Sequence, residues 1–248
     1  MTKKAGWTHT ICLDIGNTRM KVGVFSHNED VEYLTYDQYD LQTLKDLQNK
    51  YPQSYFVLSA TAITSDEVNA YLKSSPHLFE LNHKVKLPFK NLYKTPQTIG
   101  NDRLAVVAGA SHLYPNRNCL VIDAGTCITL DFINAAGEYL GGSIHPGIEM
   151  RLKAVHHFTG KLPLIENQWQ DGLVGGSTEE CIKIGTITAV IHEISYFIKE
   201  YQKKYSDTIV LITGGDTELF FYKLKNKIFA HPNLVLIGLH KIAQYNAE

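Results

Sequence analysis

The sequence contains two short polar turns of a kind that can hold a phosphate. The first reads Asp14-Ile15-Gly16-Asn17-Thr18 and follows an apolar run. A glycine in such a turn lets backbone N–H groups approach a phosphate without a Cβ in the way, and the amide and hydroxyl side chains add further donors. Taken alone, the same pattern is also typical of a tight hairpin turn with an Asx cap.

The charged side chains beside the first turn indicate a metal–nucleotide site. Asp14 would be repelled by a phosphate, so its natural role is to hold a hydrated Mg²⁺ between itself and the nucleotide. Mg²⁺ favours this arrangement because it takes a few carboxylates together with waters and phosphate oxygens. Lys21 adds positive charge nearby.

The second turn, Asp123-Ala124-Gly125-Thr126, repeats the first about halfway along the chain. If the two halves of the protein face each other, two such loops grip one polyphosphate. Phosphoryl transfer needs mainly positioning and neutralisation of charge, and a pair of loops with a metal supplies both. The alternative, that Asp123 only caps a strand turn, stays open at this point.

A third segment, Gly100-Asn101-Asp102-Arg103, precedes a helix-forming stretch. Helix N-terminal amides together with Arg103 can bind an anion such as a carboxylate or a phosphate. Asp102 is a candidate general base that accepts the proton of a substrate hydroxyl as the phosphoryl group transfers. From these four residues alone, an N-cap aspartate beside a surface arginine is the more common arrangement.

Other polar segments give weaker indications. The glycine-rich stretch 141–147 predicts a close-approach loop or a simple turn, and its His145 is more often a packed or surface imidazole than a catalyst. The pairs His156-His157 and Glu179-Glu180 have no metal-ligand spacing, so they are interpreted as solvated or capping residues. The sequence has no Walker P-loop, GxGxxG or GxSxG motif, which argues against the commoner nucleotide and hydrolase folds.

These motifs lie between strands and helices that alternate. Each polar turn is predicted to join two β-prone runs, and the repetition predicts two lobes of related topology, 1–115 and 116–248. The predicted strands are 11–13, 20–25, 55–59, 119–122, 127–133 and 208–212, and the predicted helices are 41–49, 67–73, a stretch from 103 to about 114, and a stretch after 176.

The composition is that of an ordinary globular protein, with 44% hydrophobic residues, 20% charged residues and a formal net charge of -1. Such a charge offers no basic field for nucleic acid. The four cysteines form no CxxC pair, which favours reduced thiols over a disulfide framework or a zinc site. No signal peptide or membrane-length apolar stretch is evident, so we expect a cytoplasmic protein without a membrane partner.

Together the motifs resemble the type III pantothenate kinase family of the actin-like ATPase superfamily. The run Asp14-Ile15-Gly16-Asn17-Thr18-Arg19-Met20-Lys21-Val22-Gly23-Val24-Phe25 resembles the family's first phosphate motif, D-x-G-N-T-x-x-K-x-G-x-F. Tyr93 and Pro96, followed by Gly100 to Arg103, resemble the pantothenate segment with its G-x-D-R. The stretch 123–129 resembles D-x-G-T-A-x-T, with Cys127 where alanine is usual, and 141–147 with Leu162-Pro163 resembles the family's next segment along the chain.

The resemblance implies an α/β actin-like ATPase (ribonuclease H-like) duplicated fold with two lobes, mixed sheets and a cleft between them. It also implies ATP-dependent phosphorylation of pantothenate at its primary hydroxyl by a homodimer whose interface completes the substrate pocket. By this analogy Asp102 is the proton acceptor, Arg103 pairs with the pantothenate carboxylate, and Thr178 comes from the partner subunit.

The remaining roles are implied by the resemblance as well. Asp123 would bind the monovalent cation, K⁺ or NH₄⁺, that the family requires. The residues implied at the pantothenate site are Tyr93, Gly100, Asn101, Asp102, Arg103 and Thr178. The residues implied at the ATP site are Asp14, Ile15, Gly16, Asn17, Thr18, Arg19, Met20, Lys21 and Thr126.

Two alternatives remain. One is a regulatory or binding protein that kept the scaffold and lost turnover, since a fold does not fix a function. Every residue that the chemistry needs is present, which argues against it. The other is an actin-like kinase for another small acid or a sugar, although Arg103 beside Asp102 favours a substrate with both a carboxylate and a hydroxyl.

Overall fold

The computed structural model describes residues 7–16, 19–26, 30–60, 65–75, 77–224 and 226–247. The chain forms two compact units. The first contains residues 1–116, 136–140 and 233–248, and the second contains 117–135 and 141–232. These units interleave along the chain, whereas the lobes expected from sequence are continuous. The assignment of functional lobes at 1–115 and 116–248 stays a prediction.

The first unit is built on a mixed five-stranded sheet in the order β3-β2-β1-β4-β5. Strand β1 pairs antiparallel with β2 and parallel with β4. The strands are β1 (His9–Ile15), β2 (Met20–Ser26), β3 (Val31–Tyr36), β4 (Ser54–Ala60) and β5 (Leu78–Glu80), and the helices are α1 (Leu41–Lys50), α2 (Asp66–Ser74), α3 (Asn101–Leu113) and α8 (Leu234–Ala247).

The two faces of this sheet have different partners because side chains alternate along a strand. Ile11, Leu13 and Ile15 of β1 lie in a core with Leu44 of α1 and Leu72 of α2. The opposite face of β1, β2 and β4 lies against α8. The side chain of Asp14 therefore belongs to the face that carries the long C-terminal helix.

Helices α3 and α8 pack closely because glycines stand at their contact. A Cβ on Gly109 would collide with the carbonyl oxygen of Leu234, and a Cβ on Gly238 would collide with that of Ala105. Residues 103–110 of α3 are all buried. Residues 104–110 are therefore small or apolar around the whole helix, and the polar side chains of α3 lie in its first turn and at its C-terminal end.

The second unit repeats the strand arrangement of the first. Its sheet has six strands in the order β6-β9-β8-β7-β10-β11, where β6 (Lys90–Asn91) is an edge strand that comes from the first unit. Strand β7 pairs antiparallel with β8 and parallel with β10, as β1 does with β2 and β4. The strands are β7 (Cys119–Ala124), β8 (Cys127–Ile133), β9 (Glu138–Pro146), β10 (Ile209–Thr213) and β11 (Phe229–Ala230), and the helices are α4 (Ile148–His157), α5 (Thr178–Lys183), α6 (Ala189–Lys204) and α7 (Thr217–Lys223). The predicted duplication is confirmed.

The sequence also predicts an N-cap for α2 among Thr64, Ser65 and Asp66, and one for α5 at Ser177 or Thr178. A serine is the cap in both helices. Ser65 caps α2, since its hydroxyl accepts a hydrogen bond from the Val68 N–H at 3.3 Å. Ser177 caps α5 in the same way through the Glu180 N–H at 3.2 Å. Between α5 and α6 the chain makes a π-helical turn, Ile184–Thr188. The proposed cap at Thr64 lies outside the described residues.

The glycine-rich stretch 141–147 differs from the expected loop. Its first six residues complete strand β9, and only Gly147 lies in a turn. The glycines are needed there because a Cβ on Gly142 would collide with the Leu130 carbonyl oxygen. The chain enters β9 from the first unit, where Lys90 and Asn91 (β6, Lys90–Asn91) pair with Glu138 and Tyr139.

Contrary to the expectation from sequence, one helical stretch of the described chain, 178–204, has the length and apolarity of a membrane span. Half of its most apolar window is buried within the protein. Ile187, Ile194 and Ile198 of this stretch lie in the core of the second unit. The core helix of a soluble protein passes the same test, so the stretch is weak support for a membrane anchor.

Candidate functional site

The first polar turn joins β1 to β2, as predicted. Asp14 and Lys21 are direct partners in the antiparallel pair, so their side chains emerge on one face of the sheet. The Gly16 N–H donates to the Arg19 carbonyl at 3.2 Å and closes the turn. Asn17 and Thr18, both predicted to contact ATP, lie outside the described residues.

The other residues of this turn that are predicted to contact ATP differ in how far their side chains are exposed. Ile15 and Met20 are fully buried in the core, so only their backbone atoms can face a ligand. Arg19 is exposed, and its ion pair with Asp37 is long at 3.8 Å. An exposed pair at this distance holds a side chain only weakly. Arg19 is therefore easily redirected to another anion.

The predicted substrate segment forms the first turn of α3, with Gly100 as the N-cap. The Arg103 N–H donates to Asp102 Oδ1 at 2.8 Å. The same carboxylate oxygen lies so close to Gly100 that a Cβ there would collide with it. Glycine at the N-cap thus makes room for the carboxylate of the predicted base.

Asn101 has a structural contact in this segment. Its side-chain amide donates to the Leu81 carbonyl at 2.8 Å. Leu81 directly follows β5 and its own N–H donates to Leu58 of β4. The bond therefore fixes the start of α3 against the ends of two strands of the same unit, and with it the position of Asp102.

Arg103 is held beside a stack of aromatic rings. The Arg103 residue is buried, and its guanidinium carbon lies 5.6 Å from the centroid of the Tyr93 ring. The Tyr93 ring in turn stacks on Tyr139 with a centroid distance of 6.2 Å and an interplanar angle of 9°. The structure thus brings the predicted substrate residues Tyr93 and Arg103 together, and it adds Tyr139, which no sequence motif indicated.

The second polar turn joins β7 to β8. Its Gly125 N–H donates to the Cys127 carbonyl at 3.0 Å. Asp123 at the end of β7 and Cys127 are half-buried, whereas Thr126 is exposed. The hydroxyl of Thr126 is thus accessible for the predicted contact with ATP.

Two glycines that the sequence motifs did not assign to this site pack against the second turn. The Gly147 N–H donates to the Thr126 carbonyl at 3.1 Å, and a Cβ on Gly147 would collide with that oxygen. Gly214 has φ +97° and lies against Ala124 in the same way. The sequence feature that could have pointed to Gly214 is the glycine-containing run Thr213-Gly214-Gly215-Asp216, which begins at the last residue of β10.

The second turn fits a hard cation held by few protein ligands. Asp123 Oδ1 lies 3.9 Å from where a Gly125 Cβ would stand, so the carboxylate lies beside the turn backbone. Within the described ranges, no group of three His, Cys, Asp or Glu side chains has the arrangement of a metal site. The Asp123 carboxylate suits K⁺ or a hydrated Mg²⁺, whose ligands are oxygens and waters.

Thr178, the residue predicted to serve the partner subunit's site, is the first residue of α5 and is exposed. The loop before it carries Leu173 and Val174, which are 85% and 90% exposed. Large apolar side chains with this exposure favour a contact with another protein surface. Thr178 belongs to the second unit and the other predicted pantothenate residues belong to the first.

Comparison with known proteins identifies the family. The sequence profile of type III pantothenate kinase matches residues 10–200. The chain belongs to the type III pantothenate kinase family. It is 43% identical to the type III pantothenate kinase of Christiangramia forsetii over 239 residues, with 95% of this chain and 98% of that protein covered. The corresponding protein of Phocaeicola vulgatus is 42% identical with the same coverage. The predicted family and the prediction of a kinase are confirmed.

Solved structures support the fold of this family member. A protein assigned to the Baf family of transcriptional activators from Campylobacter jejuni has a TM-score of 0.61 at 21% identity and covers 96% of this chain and 98% of its own. A glucokinase from an Antarctic psychrotroph has a TM-score of 0.51 at 12% identity, with 96% and 99% covered. At these identities the likeness concerns the fold alone, and it confirms the predicted two-lobed actin-like fold.

Proposed function

We propose that this member of the type III pantothenate kinase family transfers the γ-phosphoryl group of ATP to the primary hydroxyl of pantothenate, the first step of coenzyme A biosynthesis. The observation that carries the proposal is the start of α3, where Asp102 and the buried Arg103 stand next to each other in the first turn. A base beside an anion-binding cation matches a substrate that has a hydroxyl and a carboxylate.

Asp102 is the general base in this proposal. Its Oδ1 accepts the Arg103 N–H, so Oδ2 is the oxygen offered to the substrate hydroxyl. As the hydroxyl oxygen attacks the γ-phosphorus, its proton passes to Asp102, and the bond between the γ-phosphorus and the leaving oxygen of ADP breaks. A positioned base of this kind contributes about 10² to 10⁴ in rate.

Arg103 binds the carboxylate of pantothenate, and the amides at the start of α3 add a favourable dipole. Contact with the Tyr93 ring orients the guanidinium before substrate arrives. Gly100 and Asn101 form the backbone of the same turn. Preorganisation of this kind lowers the entropy that binding must overcome.

The two polar turns hold the nucleotide. Asp14 and Lys21 of the first turn and Thr126 of the second turn are the described side chains assigned to its phosphates. Asp14 would hold Mg²⁺, which would neutralise the developing negative charge of the phosphates, and Asp123 would hold K⁺ or NH₄⁺. Asp14 and Asp123 are the carboxylates that hold these ions.

The protein acts as a homodimer in the cytoplasm. Its second unit exposes apolar side chains on β9, α4 and α6, namely Ile144 at 62%, Met150 at 40% and Tyr196 at 60%. Together with Leu173 and Val174 these residues favour a second copy as the partner, which would bring Thr178 to the partner's pantothenate site. No nucleic acid or membrane takes part in this function.

The experiment that tests the proposal is ATP consumption by the purified protein with Mg²⁺ and K⁺, with and without pantothenate. Pantothenate-dependent release of ADP, with phosphopantothenate identified by mass spectrometry, is the expected result. Folded protein without such release would overturn the proposal. The regulatory function or another hydroxy acid as substrate would then be the better account.

A further inference from the structure

The turn between β9 and α4 is held by four side chains of the second unit: Ser143, His145, Arg151 and Glu193, here called the Glu193 cluster. Glu193 of α6 receives two contacts, one from His145 Nδ1 at 2.6 Å and one from Arg151 Nη2 at 2.9 Å. Ser143 Oγ lies 2.7 Å from His145 Nε2. Both ring nitrogens of His145 are thus engaged, which fixes the orientation of the ring.

The Glu193 cluster contacts the chain on both sides of the turn. His145 lies two residues before Gly147, and Arg151 lies four residues after it. Arg151 also donates from Nε to the Pro146 carbonyl at 2.9 Å. One carboxylate on α6 therefore holds the end of β9 and the first turn of α4 in a single arrangement.

The turn so held is the one that touches the second phosphate turn. The Gly147 N–H donates to the Thr126 carbonyl, and its Cα approaches the carbonyl oxygens of Gly125 and Thr126 too closely for any Cβ. If Gly147 moves, Gly125 and Thr126 must therefore move with it, or their carbonyl oxygens lose their packing contacts with Gly147. Close packing transmits such a shift, since it leaves little free space.

The cluster is partly protected from water, which makes its balance of charge important. His145 is 10% exposed at its side chain, Arg151 20% and Glu193 32%. Removing one partner of a desolvated ionic contact costs more than the contact itself contributes, because the other partner stays behind without compensation. Loss of Glu193 would thus remove the partner of Arg151 Nη2. The hydrogen bond from Arg151 Nε to the Pro146 carbonyl would then be held less firmly.

We infer that Glu193 is a positioning residue for nucleotide binding, which acts through Arg151 and the Gly147 turn on the backbone of Gly125 and Thr126. Glu193 does not touch the nucleotide. The inference rests on the proposed role of the second turn at the ATP phosphates, and it assigns a function to a helix that no motif connected with the site.

The test measures Mg-ATP binding by isothermal titration calorimetry, together with steady-state KM values for both substrates. Glu193→Ala removes both contacts, and Glu193→Gln keeps the size of the side chain but not its charge. Glu200→Ala is the matched control, because Glu200 is an exposed residue of the same helix. The melting temperature of each variant shows whether the second unit is intact.

We expect Glu193→Ala to raise the Kd and the KM for ATP about tenfold and Glu193→Gln to raise them less, as found when residues that orient ligands are removed. The KM for pantothenate and the Glu200→Ala control should stay within about twofold of wild type. Adding Arg151→Ala to Glu193→Ala should cause little further loss, because residues that act together are not additive.

Two results separate this inference from the proposed function. If the wild type turns over pantothenate and folded Glu193→Ala binds ATP as the control does, the positioning role is overturned and the proposed function stands. If the wild type shows no pantothenate-dependent turnover but Glu193→Ala still weakens ATP binding, the proposed function fails and the positioning role stands. A wild type that binds no Mg-ATP would overturn both.

Discussion

The guanidinium of Arg103 lies over the ring of Tyr93, with its central carbon 5.6 Å from the ring centroid. Nine residues of chain lie between the two, and the start of α3 brings them together. The Tyr93 ring also stacks on the ring of Tyr139, which is fully buried. The contact thus connects Arg103, which we propose binds the substrate carboxylate, to the core of the first unit.

Tyr93→Ala should weaken pantothenate binding without changing ATP binding. A cation–π contact contributes about 0.5–2 kcal/mol, which corresponds to a rise of roughly 2- to 30-fold in the KM for pantothenate. Tyr93→Phe keeps the ring and serves as the control. Equal KM values for the alanine and wild-type proteins would show that the ring does not orient Arg103 for substrate.

Asp102→Asn should lower kcat by about two to four orders of magnitude, because an amide cannot accept the substrate proton. The asparagine oxygen can still accept the Arg103 N–H, so the start of α3 should be preserved. Steady-state kinetics with parallel ATP titration and thermal melting check this separation. A variant with unimpaired kcat would remove Asp102 from the mechanism.

Activity should rise when K⁺ or NH₄⁺ replaces Na⁺ at constant ionic strength, because Asp123 is proposed to hold the monovalent cation beside the second turn. Asp123→Asn should reduce this difference, since a neutral amide attracts a cation less than a carboxylate does. The measurement is the initial rate of ADP release across a cation series. Equal rates in Na⁺, K⁺ and NH₄⁺ would show that Asp123 does not hold an activating monovalent cation.

Mixing two inactive variants should restore activity if the site is shared between subunits. A heterodimer of Asp102→Asn and Thr178→Ala subunits carries one site with both changes and one with neither. Random exchange then returns about a quarter of the wild-type sites, because half of the dimers are mixed and each has one intact site. Activity that stays at the level of the separate variants would place Thr178 outside the partner's site.

The cysteines should differ in their reaction with iodoacetamide at pH 8. Burial raises the pKa of the Cys119 thiol to about 11 and raises that of Cys12 well above its ordinary value, so few thiolates form at either residue. Cys181 is exposed and should be modified first.

The half-buried Cys127 should react more slowly when Mg-ATP is present, because it directly follows the second phosphate turn. Peptide mass spectrometry over a time course gives the four rates, and denatured protein provides the control in which all four react. Rapid modification of Cys12 or Cys119 in folded protein would contradict their burial. A Cys127 rate indifferent to Mg-ATP would argue against a nucleotide at the second turn.

The sequence by itself determined the repeated turns, the strands on either side of them and the helix that begins after Gly100. These features depend on local properties: glycine and hydroxyl residues at a turn, β-prone runs beside it, and serine caps such as Ser65 and Ser177. The residue types already made Asp102 a candidate base and Arg103 a candidate anion ligand. The family resemblance added pantothenate as their substrate and the roles of the monovalent-cation ligand Asp123 and of Thr178.

Only the tertiary structure decided which distant residues share a site. Tyr139 reaches Tyr93 because β9 pairs with β6, and Glu193 reaches His145 and Arg151 because α6 packs beside the end of β9. The stretch 141–147 became a strand because Gly142 allows close pairing with Leu130. Long-range packing of this kind leaves no periodic or spacing signal in one sequence, since its partners are fixed by the fold and not by their separation along the chain.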